Sequence, residues 1–248
     1  MKVNIINIEN NNLWAVVPAR CGSKGFPGKN IYPLDNTPLL AHSIMFAKSL
    51  PFVNKVILST DSDEYSVIGK QYGAEIPFLR SSNAAKDDSM EEDVLLDILN
   101  QCIVNGITPP DHILWLRPTH PFRDKKTFLD AYEKYRTEEF SSICIVTRED
   151  PRIFKEKNHI LTPLIKEFED RSMVRRQDCE PSFRIFSGEL FKFPGKYEKK
   201  FLGEKIGYVV SPNVCKFDID YKEDIDYINY LLSTKNGREI YGPYLKKY

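Results

Sequence analysis

From residue 13 to residue 147, short apolar runs alternate with longer stretches in which apolar residues recur every three or four positions. The runs at 13–17, 55–60, 75–79, 112–116 and 142–147 are rich in β-branched and aromatic residues and predict buried strands. Between them, the helical period predicts helices over 38–50, 62–72, 91–105 and 125–136. Gly73 and Gly106 follow two of these patterns as stop signals. Strands that alternate with helices of this length predict a three-layer α/β fold with a mostly parallel sheet.

From 148 to about 205 the alternation fails. Charges and prolines interrupt short aromatic runs at 183–186 and 190–193, which suggest hairpins or an excursion from the sheet. A strand resumes at 206–211, a short run spans 217–220, and a closing helix covers 223–233 with Ile225, Ile228, Leu231 and Leu232 inward. The expected organisation is one domain over 1–248 with an inserted segment at 148–205 that covers a ligand or builds a subunit contact.

Thirty-five basic and 35 acidic residues cancel, so no overall field calls for a nucleic acid or an anionic membrane. No run of 18 apolar residues exists, and the first dozen residues lack the apolar stretch of a signal peptide. The five cysteines are scattered without a CxxC pair, which argues against a disulfide framework and a cysteine zinc site. A reducing cytoplasm is the expected setting.

The candidate chemistry begins directly after the first strand, at Ala19-Arg20-Cys21-Gly22-Ser23-Lys24-Gly25-Phe26-Pro27-Gly28-Lys29-Asn30. Open α/β sheets bind ligands beyond the carboxyl ends of their strands, where this loop falls. Glycines at 22, 25 and 28 let the backbone turn and aim N–H groups at one spot. Arg20, Lys24 and Lys29 add the positive charge that a triphosphate requires. The spacing matches neither GxxxxGK[ST] nor GxGxxG. A solvated surface loop is the alternative reading.

These residues resemble the start of the CMP-sugar-acid synthetases, the acylneuraminate cytidylyltransferases, whose loop reads ARxGSKGxxxKN. Further segments are similar in order along the chain: Leu58-Ser59-Thr60-Asp61, Arg80 with Asp87, Leu116-Arg117-Pro118-Thr119-His120-Pro121-Phe122-Arg123, and Phe217-Asp218-Ile219-Asp220 with Asp224. The resemblance is nearest to CMP-N-acetylneuraminate and CMP-legionaminate synthetases. It implies a nucleotide-diphospho-sugar transferase (Rossmann-like) fold, CTP as a substrate, Mg²⁺ as cofactor and a homodimer built by the inserted segment. The reaction it implies is attack of a sugar acid's anomeric hydroxyl on the α-phosphate of CTP, releasing pyrophosphate. A Kdo-like or other sugar acceptor, or a catalytically silent binding protein, are the competing readings.

The resemblance assigns Arg20 and Lys29 to the triphosphate, with Lys24 a third contact. It places Ala19, Gly22, Ser23, Asn30, Arg80 and Asp87 around CTP. Asp218 and Asp220 alternate across Ile219, so an extended backbone would point both carboxylates to one side, a donor set that suits Mg²⁺. A helix cap is the alternative role for Asp220, and Asp224 falls on a first helical turn, where an acid is ordinary. On the acceptor side the pattern departs. The family's glutamine is Arg117 here, its serine is His120, and its FRxNG segment appears as Phe183-Arg184-Ile185-Phe186-Ser187-Gly188, one residue longer and without the asparagine. Arg117, whose fork suits a carboxylate or a neighbouring acid, joins Thr119, Lys155, Arg176 and Arg184 as the expected sugar-binding residues.

Overall fold

The computed structural model describes residues 12–22, 25–168, 171 and 173–245. The first strand, β1 (Leu13–Pro18), lies inside a six-stranded sheet. Two short strands, β2 (Pro33–Leu34) and β3 (Thr37–Pro38), form a small ladder before helix α1 (Leu39–Lys48). Strand β4 (Lys55–Ser59), helix α2 (Asp63–Gln71), helix α3 (Glu91–Val104), strand β5 (His112–Trp115), helix α4 (Lys125–Thr137) and strand β6 (Ser142–Glu149) continue the alternation. An exposed hairpin follows, β7 (Phe154–Lys157) and β8 (Ile160–Pro163), closed by Asn158 and His159 at φ 54° and 63°. Positive φ at both central residues is the two-residue turn whose twist matches the strands. Strands β9 (Ser182–Lys192) and β10 (Ile206–Val210) and helices α5 (Lys222–Ser233) and α6 (Lys235–Tyr241) complete the chain.

The sheet order is β10-β6-β9-β5-β1-β4, and β9 alone runs against its neighbours. Leu13, Ala15 and Val17 face α1 and α4, while Trp14 and Val16 face α3. Covered on both faces, β1 reads as a continuous apolar run rather than an alternating one. These are the three layers the pattern predicts.

Three expectations need correction. Residues 75–79 form no strand; Glu75 makes a single parallel bridge to Ile57 at the sheet edge. Pro77 lacks the N–H a longer ladder needs. The run at 183–186 and the first three residues of that at 190–193 are parts of one strand, β9, inserted in mid-sheet rather than hairpins outside it. Gly188, which interrupts the aromatic pattern, is required there because a Cβ would lie 2.7 Å from the Phe128 ring. Residues 217–220 form no strand, and Ile219 donates its N–H to the Thr119 carbonyl at 2.9 Å.

A third apolar cluster sits at the end of the sheet. Phe26 of the glycine-rich loop, Leu34, Phe122, Ile219 and the inner face of α5 (Ile225, Ile228, Leu232) pack together. It ties the loop to the Asp218–Asp220 segment, which is what places the site. Among the described residues no helix is long and apolar enough to cross a membrane.

Candidate functional site

A cleft of about 620 Å³ opens beyond the carboxyl ends of β1 and β5. Arg20, Lys29, Asn30, Arg80, Arg117, Thr119 and Asp220 line it, with Phe26, Trp115 and Tyr221 as its aromatic walls. Residues from across the chain therefore converge on one cleft.

The loop owes its shape to particular contacts. Gly28 takes φ 72°, which L side chains rarely adopt, and Gly25 passes close to the Asp220 carbonyl. Gly22 has nothing within 4 Å of where a Cβ would stand, so it meets neither need. Asn30 is buried and donates from Nδ2 to the Arg20 carbonyl at 3.0 Å. The buried Ala19 donates its N–H to the Ser59 carbonyl at 2.9 Å. Asp61, just past the end of β4, accepts from the Cys21 N–H at 2.9 Å and from the Cys21 thiol at 3.2 Å. That hydrogen bond, with burial, pushes the Cys21 thiol up. Ser23 and Lys24 lie outside the described residues.

The cations differ in how they are held. Arg20 donates from Nη1 to the Lys86 carbonyl at 2.8 Å and to Asp87 at 3.1 Å, so Asp87 orients Arg20 and does not itself line the cleft. Lys29 Nζ lies 3.3 Å from Asp220 Oδ1. Arg80 is buried, anchored to the Ser59 hydroxyl at 3.1 Å and the Ser59 carbonyl at 2.7 Å. Burial pulls Arg80 down to about 10, against the pull of Asp61 and Asp97, and leaves it charged at neutral pH.

The three aspartates of the last motif separate by role. Asp224 accepts from the N–H groups of Asp220 and Tyr221 at 2.9 and 2.8 Å and caps α5. Asp220 is thereby spared as a cap, and its side chain is 60% exposed at the cleft. Asp218 is only 15% exposed; Arg184 donates to it at 2.5 Å, and His120 Nδ1 lies 3.5 Å away. Burial first, then nearby arginines, lower His120 to about 3, so the ring is neutral and its contact with Asp218 is not an ion pair.

On the acceptor side, Thr119 lines the cleft and Arg117 is clamped between Glu91 and Glu189. Burial alone would lower Arg117, but the two carboxylates more than offset it and hold it above its usual value. Burial pushes the Glu189 carboxyl up while Arg117 pulls it back. Lys155 lies on the exposed β7 and does not line this cleft. Arg176 lines a separate surface cleft with Arg148 and Glu149. Glu91 and Glu189 were missed in the sequence because an acid at a helix start or in a strand carries no signal until its partner is known.

A family model described as cytidylyltransferase matches residues 14–231. A CMP-N,N′-diacetyllegionaminic acid synthase of Legionella pneumophila is 38% identical over 124 residues, covering 50% of this chain and 53% of that protein. An N-acylneuraminate cytidylyltransferase of Escherichia coli is 29% identical over 91% of this chain and 53% of its own length. The aligned region thus spans about half of each of these two relatives. A CMP-N,N′-diacetyllegionaminic acid synthase of Campylobacter jejuni is 26% identical, covering 90% of this chain and 96% of that protein. Among solved structures, a CMP:2-keto-3-deoxy-manno-octonic acid synthetase complexed with CTP superposes with a TM-score of 0.65 at 12% identity, over 90% of this chain and 99% of that one. That likeness establishes the fold.

Proposed function

Since the chain belongs to the cytidylyltransferase family, we propose that it couples CTP to a nonulosonic, sialic-acid-like sugar acid and releases pyrophosphate. The observation that carries this reading is the meeting of Lys29 and Asp220 at 3.3 Å in a cleft also lined by Arg20 and Arg80. Three cations and an exposed carboxylate suit a polyphosphate with a divalent ion, because phosphoryl-type transfer depends on positioning and charge stabilisation.

Arg20 and Lys29 take the phosphate oxygens, and Arg80, fixed by Ser59, faces the cytidine half. The anomeric oxygen forms the new bond to the α-phosphorus as the bond to the pyrophosphate oxygen breaks, and the hydroxyl proton passes to solvent. Lys29 stays against the phosphates as their charge shifts. Asp220, which lines the cleft, would hold Mg²⁺, and Asp218 two positions earlier would join it only on releasing Arg184; one or two carboxylates plus phosphates are what this ion usually takes. When bound, Mg²⁺ supplies charge neutralisation at the α-phosphate and makes the attacking hydroxyl more acidic.

The exposed hairpin supports a homodimer. It and its flanks present Ile153, Phe154, Ile160, Leu161, Leu164 and Met173 to solvent, an apolar set that a second copy would cover. Lys155 and Arg176 on that arm would then reach the neighbour's cleft and hold the sugar's carboxylate. Five free cysteines suit a reducing cytoplasm.

The test is pyrophosphate release from CTP and Mg²⁺ with N-acetylneuraminate, N,N′-diacetyllegionaminate and a Kdo-type octulosonate. Release with a nonulosonate and none with CTP alone is expected. Release only with the octulosonate moves the acceptor class, and release with no sugar acid overturns the reading.

A further inference from the structure

The stretch of wall around Arg117 holds an arrangement that gripping a triphosphate does not require. Arg117 donates from Nε and Nη2 to Glu91 Oε1, at 3.3 and 2.9 Å, and from Nη1 to Glu189 Oε2 at 2.7 Å. Glu91 begins α3 and Glu189 lies on β9, so a helix and a strand fix the guanidinium from two sides. The Phe186 ring covers it, with the guanidinium carbon 4.6 Å from the ring centroid.

Phe186 reaches that place through an irregularity in β9. The register against β6 shifts between Ile145, opposite Gly188, and Thr147, opposite Arg184. Phe186 stands in the resulting bulge at φ 94°, a conformation that costs free energy for an aromatic residue. This is the segment that is one residue longer than the family pattern. Glu189 beside it is 2% exposed, and besides Arg117 its carboxylate has the Phe186 backbone N–H against it. A strained ring and a buried carboxylate thus both bear on one arginine.

The charge count says what that arginine can bind. Glu91 and Glu189 already meet the Arg117 charge from two sides, so a further carboxylate is disfavoured there. A guanidinium carries five N–H bonds, and these three contacts leave two to donate to an uncharged oxygen. The family pattern has a glutamine here, itself an uncharged hydrogen-bonding group.

We propose that Arg117, positioned by Glu189 and Phe186, determines acceptor specificity by donating to an uncharged oxygen on the sugar's flank, an acylamino carbonyl or a hydroxyl, and does not hold the sugar's carboxylate. This deepens the sugar-acid reading above and rests on it.

The test compares R117Q and F186G with the unaltered protein, using N-acetylneuraminate, its 5-hydroxy analogue and N,N′-diacetyllegionaminate as acceptors. For R117Q the acceptor KM is expected to rise by factors that differ about threefold or more between acceptors, with the CTP KM unchanged. An equal rise for all three acceptors means that Arg117 holds the carboxylate they share, and overturns the proposal. A parallel rise in the CTP KM overturns it as well. F186G removes the ring and relieves the left-handed strain, so it keeps the test open if R117Q does not fold. Its Tm is expected to be at or above the original, with the same change in acceptor preference. An unchanged preference in a folded F186G overturns the positioning role. Turnover of no sugar acid by the unaltered protein is the distinct result that removes the parent reading, and this inference with it.

Discussion

Lys29 Nζ and Asp220 Oδ1 stand 3.3 Å apart although 191 residues separate them in the chain. Their meeting is set by apolar packing. Phe26, shortly before Lys29, and Ile219, beside Asp220, are buried in the same cluster. The core therefore carries the cation and the carboxylate to the same edge of the cleft, where the exposed Asp220 can give up Lys29 to a ligand.

Replacing Asp220 tests the acidic half of this pair. The Asp220 side chain is 60% exposed, and exposed ion pairs contribute about 0–1 kcal/mol to stability. D220A is expected to lose turnover by about a hundredfold or more while its thermal midpoint stays close to the original. Pyrophosphate release and a melting curve on the same preparation check both halves. Retained turnover removes Asp220 from the reacting centre.

Replacing Arg20 tests the cationic half. Hydrogen bonds to charged groups are worth about 1.5–3 kcal/mol, so R20A is expected to weaken CTP by roughly 10- to 150-fold. Titration with CTP in the absence of acceptor measures this directly. An unchanged Kd means that the nucleotide lies elsewhere.

Gly188 makes a prediction about the scaffold. A Cβ at this position would meet Phe128 at 2.7 and 2.9 Å, and that ring is itself wedged edge-on against Phe46. G188A is expected to destabilise the protein by about 1–3 kcal/mol through overpacking. Chemical denaturation would show a lower midpoint with an unchanged slope. No loss would mean that β9 can shift away from α4.

The buried His42 predicts how stability follows pH. Burial, set against its hydrogen bond to the Leu34 carbonyl at 2.9 Å, lowers it to about 4. The unfolded chain takes up a proton near pH 6.5, the folded one only near 4, so the unfolded state binds more protons between these values. The loss of stability is absent above about 6.5, grows as pH falls, and levels off below about 4 at roughly 3 kcal/mol. H42Q is expected to flatten this part of the Tm-against-pH curve, and an unchanged slope assigns the effect to other groups.

How much of this was legible in the chain depends on the range of the interactions involved. Helical and strand periods, the glycines with basic residues after the first strand, and the Asp-Ile-Asp spacing are local properties, and they indicated the layers, the loop and the acidic motif. The reversed direction of β9 and its central place in the sheet were not legible, because local pattern carries no information about which strand lies alongside. Nor were the roles of the charged residues. Asp224 caps a helix, Asp87 steadies Arg20, Asp218 is held by Arg184, and Arg117 is clamped by two glutamates. The sequence alone determined which chemical groups were available and in what periodic order. Only tertiary packing decided which cation meets which carboxylate, because a charge reveals its partner only after the intervening chain has folded around its apolar core.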